Sequence, residues 1–144
     1  MRKLLLTTLT GTLLSGAAWG GLGGDLSSVQ ADQQAWHATV TKTAVAGATV
    51  HSQQLPDGPI VRQYLDATGL VFAVGWEGSV LPDFERLLGA SFQAYTVAVR
   101  QQKRGVSVQT QDLVIESGGM MRSFVGRAYL PAKLPVNLTA RDIR

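Results

Sequence analysis

Ile60-Val61-Arg62-Gln63-Tyr64-Leu65-Asp66-Ala67-Thr68-Gly69-Leu70-Val71-Phe72-Ala73-Val74-Gly75-Trp76 reads as a β-hairpin, and that reading decides the fold. Asp66-Ala67-Thr68-Gly69 has the form of a three-residue loop, a type I turn closed by a glycine in the left-handed conformation. With Asp66 facing Leu70, alternation pairs Tyr64 with Phe72, Arg62 with Val74 and Ile60 with Trp76. One face is then heavy and aromatic, and a helix is expected to cover it. The other carries the smaller Val61, Gln63, Leu65, Val71, Ala73 and Gly75.

Upstream, Ala48 to Leu55 is strand-like and Pro56-Asp57-Gly58 is turn chemistry, so the hairpin extends to a three-stranded meander. Downstream, Pro82-Asp83-Phe84-Glu85 opens a helix with proline and acids near its positive end. Phe84, Leu87, Leu88, Phe92 and Tyr95 recur at helical spacing, with a break or bend expected at Gly89. Val106 to Val108 and Leu113 to Glu116 have strand character. Ser117-Gly118-Gly119-Met120 is expected to turn the chain into a return strand, Met121 to Leu130. Near the start, Asp25, Ser27 or Ser28 can cap a short helix ending at Trp36. His37 to Gly47 shows no clear period and reads as loop. The expected fold is α+β: an antiparallel sheet of about five strands, the meander plus a C-terminal hairpin, with one or two helices packed on it.

The first twenty residues have a different character. Arg2 and Lys3 precede an apolar run, Leu4 to Leu14, and small residues around Ala18 and Gly20 suit cleavage. Residues 1–20 read as a signal peptide cut after Gly20, or after Ala18, and the run is too short to span a membrane. A periplasmic or secreted location follows. Residues 21–144 are expected to form a single domain behind a flexible glycine lead, with a loosely held tail from about 131.

Composition excludes several functions. Without Arg2 and Lys3 the chain holds 11 Lys and Arg against 10 Asp and Glu, so nothing suggests nucleic-acid binding. Arg100, Lys103 and Arg104 read as a solvated helix end. There is no cysteine, which excludes a lipid-anchored cysteine, disulfides and thiol catalysis. His37 and His51, expected to be exposed or half-exposed, have no partner at metal-ligand spacing, so neither a metal nor a cofactor is expected. There is no Gly-x-Ser-x-Gly elbow and no phosphate loop, and no catalytic residue is assigned. Asp83 and Glu85, with Glu77 nearby, suit a helix start better than a glycosidase pair.

Arg62, Arg122 and Arg127 are the candidate binding residues, because each sits in a strand among apolar neighbours. One reading pairs Arg62 with Asp83 or Glu85 under the helix, and Arg122 or Arg127 with Glu116 or Glu77. The other is a guanidinium pocket for a carboxylate or another anion.

Leu22-Gly23-Gly24, Val61-Arg62-Gln63-Tyr64, Val71 to Trp76, Leu81-Pro82-Asp83, Leu87-Leu88-Gly89, Ser117-Gly118-Gly119 and Met121 to Pro131 together resemble the bacterial family called domain of unknown function 2844. The resemblance implies an exported proteobacterial protein and no particular activity. The function read from the sequence is a non-enzymatic exported protein that binds or supports another envelope or secreted protein. The alternative is an anion-binding protein or small enzyme using the three arginines.

Overall fold

The Asp66 turn forms as its chemistry requires. Asp66 accepts from the Thr68 and Leu70 amides at 2.9 and 3.0 Å, and Gly69 takes a φ of 87°. The computed structural model describes residues 21–144; the proposed signal peptide lies outside the described residues. The turn joins β3 (Ile60–Leu65) to β4 (Val71–Gly78) in a seven-stranded antiparallel sheet. The other strands are β1 (Thr39–Val45), β2 (Ala48–Gln54), β5 (Val106–Gln109), β6 (Val114–Met120) and β7 (Ser123–Tyr129), in the order β1-β2-β3-β4-β7-β6-β5. The fold is α+β as expected, with seven strands in place of about five.

The first additional strand is β1, which lies where a loop was expected. It turns into β2 through Ala46 and Gly47, both at positive φ, which suits a two-residue hairpin. Alanine rarely occupies that conformation, so the turn has little sequence signature. The C-terminal hairpin also turns later than expected. Met120 pairs with Ser123, so Met121 and Arg122 form the turn and Gly118 and Gly119 lie within β6. Glycine is needed there because a Cβ on Gly119 would stand 2.4 Å from the Ser123 carbonyl oxygen.

The expected register of the β3–β4 hairpin holds for one pair and then slips. Leu65 faces Val71, but Tyr64 faces Ala73, which leaves Phe72 as the extra residue of a bulge. Arg62 therefore pairs with Gly75, not Val74, and Val61 with Trp76. The slip turns Val74 and Trp76 onto the face of Val61, Gln63 and Leu65, while Tyr64, Phe72 and Ala73 belong to the other face.

The helices cover the first face. Asp25 caps α1 (Leu26–Trp36) in a box with Ser28, and Asp83 caps α2 (Phe84–Leu88). At Gly89, with φ 53°, the helical path breaks through a short 3-10 turn before α3 (Phe92–Gln101). Val29, Phe84, Leu87, Leu88 and Trp76 fill the main core. The glycine lead, expected to be flexible, is pinned: Gly23 donates to the Val71 carbonyl at 2.8 Å and Leu22 to Leu87 at 2.9 Å.

The segment after Pro131, expected to be loosely held, packs on the second face through two 3-10 turns, residues Pro131–Lys133 and Ala140–Asp142. Leu138 and Ile143 are buried against Val50, Tyr64, Phe72 and Ala73. An apolar second face without helices needed a cover, and this segment supplies it.

Candidate functional site

Register places Ser52, Arg62, Gly75, Arg127, Glu116 and Ser107 in one row across five neighbouring strands and β5, all on the face covered by the C-terminal segment. Arg62 and Arg127 stand on either side of Gly75. The two guanidinium groups are therefore brought together, but neither is free. Arg62 Nη2 donates to Glu77 at 2.6 Å, and Glu77 lies two residues beyond Gly75 on the same strand. Arg127 binds Glu116 through Nε and Nη2 at 2.8 and 2.7 Å.

The row also grips the backbone of the C-terminal segment. Arg127 Nη1 donates to the Ala140 carbonyl, and Arg62 Nη1 reaches the Arg144 carbonyl at 3.4 Å. The Tyr64 hydroxyl accepts from the Arg144 amide at 3.1 Å. Gly75 makes this close approach possible: a Cβ there would stand 2.1 Å from the Arg144 carbonyl oxygen. Beside the row lies a groove of about 540 Å³ lined by Glu77, Glu116, Val125, Arg127, Ile143 and Arg144. Two carboxylates offset its two guanidinium groups, so the site carries little net charge to attract an anion.

Arg122, the third candidate, does not join this row. It sits exposed at the β6–β7 turn with φ 64°. The expected pairing of Arg127 with Glu116 is present, but that of Arg62 with Asp83 or Glu85 is not. The bulge at Phe72 turns Val74 and Trp76 to the opposite face, which the helices cover, so Arg62 is left away from them and Glu77 takes the role instead. Arg62 and Glu77 retain 23% and 45% exposure, so solvent screens their attraction. Arg62→Ala is accordingly expected to cost about 1 kcal/mol in urea denaturation, where a deeply buried arginine under the helix would have cost several.

A second polar group, which sequence reasoning did not assemble, lies under α1. Asp32 is fully buried and accepts from Gln63 at 3.0 Å and from Arg86 at 3.4 Å; Gln53 donates to Gln63 at 3.3 Å. The signal for it was Asp32 on the apolar stripe of α1 and Gln63 between apolar strand positions. His51 is also buried on β2, correcting the expectation of exposure, and its pKa is lowered by burial and by Lys42 opposite. Among the described residues, no group of three or more His, Cys, Asp and Glu is arranged to hold a metal ion.

Burial raises the Asp32 carboxyl above its ordinary pKa, with Gln63 and Arg86 pulling it back. A carboxyl that holds its proton more tightly when folded loses stability as the pH rises from its unfolded value through its folded one. Asp32→Asn removes that loss. Its stability relative to wild type should increase between about pH 4 and pH 7, measured by urea denaturation at each.

The fold and this geometry define a class: an α+β domain on one antiparallel sheet, helices on one face and a clamped chain segment on the other. Within that class the chain belongs to the family described as "Protein of unknown function (DUF2844)", whose model matches residues 18–143. No curated protein and no solved structure matches it. No helix among the described residues is long and apolar enough to cross a membrane.

Proposed function

We propose that this chain is an exported, non-enzymatic binding protein that takes up an extended segment of another envelope or secreted protein. The basic, apolar and small-residue pattern of residues 1–20 supports export. The open edge of β1 carries the binding reading. Thr39–Val45 has seven residues, pairs only with β2 among the described residues, and is rich in threonine and valine. Unpaired backbone groups along such an edge are a template for an added strand. Lys42 is the one charge on it. The opposite edge, β5, has only four residues. Arg62 and Arg127 serve this protein as internal clamps, since both hold their own glutamates and the C-terminal segment.

The test is photo-cross-linking from position 43, on exposed β1, in full-length protein expressed in a secreting bacterial host. A discrete partner captured there, and absent with the cross-linker at Gln109 on β5, supports the proposal. Capture of nothing, or of a second copy of this chain alone, overturns it. Recovery of the soluble protein with Met1 intact would overturn the export reading.

A further inference from the structure

We propose that the end of the sheet bearing the β6–β7 turn docks on an anionic phospholipid surface. Large apolar side chains that ordinarily avoid water collect at this end. Met120 and Met121 are 84% and 98% exposed, and Val80, Leu81 and Val125 are each about half exposed. Register explains the gathering. Phe124 pairs with Gly78 on one side and Gly119 on the other, so Val80 and Leu81 leave the sheet beside the turn. Leu81, Val99 and Phe124 line one shallow groove of about 250 Å³.

Unpaired cations flank the patch. A Cβ on Gly105 would stand 2.7 Å from the Ser117 carbonyl oxygen, so the chain after Lys103-Arg104 meets β6 midway along it, three residues before Met120. Arg100 precedes them on α3, and Arg122 sits in the turn itself. None of these four takes part in an ion pair among the described residues. The stretches 97–111 and 117–126 contain no acid; of the acids around Val80 and Leu81, Glu77, opposite Val125, is held by Arg62, while Asp83 caps α2 and Glu85 lies in its first turn. An apolar tip flanked by free Lys and Arg complements a bilayer interface: the methionines enter the acyl boundary while the cations meet lipid phosphates. This surface is distinct from the β1 edge, so either reading can fail without the other.

The chain has no cysteine, so one introduced cysteine gives a unique labelling site. A Met121→Cys variant carrying an environment-sensitive fluorophore reports on the tip. Val136→Cys, fully exposed beside the packed Leu134 and Leu138 at the opposite end of the sheet, is the control. With vesicles of phosphatidylglycerol and phosphatidylcholine, the label at 121 is expected to shift to the blue and the label at 136 to stay unchanged. Unlabelled protein should bind these vesicles at least about tenfold more tightly than pure phosphatidylcholine, and less tightly in high salt. Lys103→Glu with Arg104→Glu, both exposed and so harmless to folding, should remove that preference. Equal binding to both vesicle types, no binding, or a blue shift at 136 alone would overturn the proposal. So would binding through this end to an acidic protein with no affinity for vesicles.

Discussion

Trp76→Ala is expected to destabilise the protein by about 3 to 5 kcal/mol, measured by equilibrium denaturation. The indole is 1% exposed at the centre of the helix-covered face and meets Phe84 edge-on at a centroid distance of 5.0 Å. Phe84 in turn packs on Tyr95, so one ring ties β4 to both α2 and α3. Its partner across the sheet is Gly126, where a Cβ would stand 2.3 Å from the indole ring. The position directly across on β7 therefore has no side chain to move into the void left by alanine. A loss below about 1 kcal/mol would show that the helices do not rest on Trp76.

Ile143→Asp is expected to release the C-terminal segment from the sheet. Ile143 is 2% exposed in a cluster with Tyr64, Phe72 and Leu138, and the nearby guanidinium groups of Arg62 and Arg127 are already engaged by Glu77 and Glu116. Burying the charge would cost more than undocking, so the segment should leave and expose the Phe72 face. Trypsin should then cut rapidly after Lys133, which stands in the first 3-10 turn of the segment, while the wild type resists. The loss of apolar burial by Leu138 and Ile143 should lower stability by about 3 kcal/mol or more. Unchanged proteolysis would contradict the packing described for this face.

What the sequence showed well was local. The Asp66-Ala67-Thr68-Gly69 turn, a helix start at Asp25, Ser27 or Ser28, another at Pro82 to Glu85, and the break at Gly89 each depend on a few adjacent residues; the structure has the turn, the break, and caps at Asp25 and Asp83. The turn at Ala46-Gly47 was missed because alanine seldom takes positive φ, and β1 was missed with it. The C-terminal turn was misplaced because two glycines resemble loop chemistry, whereas Gly119 is set by the approach of Ser123 and Phe124 across the hairpin. The three arginines stood out as charges within strands, but which carboxylate each would meet depended on register.

Sequence by itself determined the class: α+β, an antiparallel sheet, helices starting at Asp25 and near Asp83, and the family to which the chain belongs. Tertiary structure decided the faces. One extra residue at Phe72 reverses the side to which Val74 and Trp76 point, because side chains alternate with period two and a single insertion inverts everything beyond it. The bulge is worthwhile only if both faces have a cover, helices on one side and the Leu138–Ile143 segment on the other. The segment's polar contacts with the hairpin join residues 78 to 82 positions apart, so no local pattern in the hairpin could place Arg62 beside the Arg144 carbonyl rather than beneath the helix.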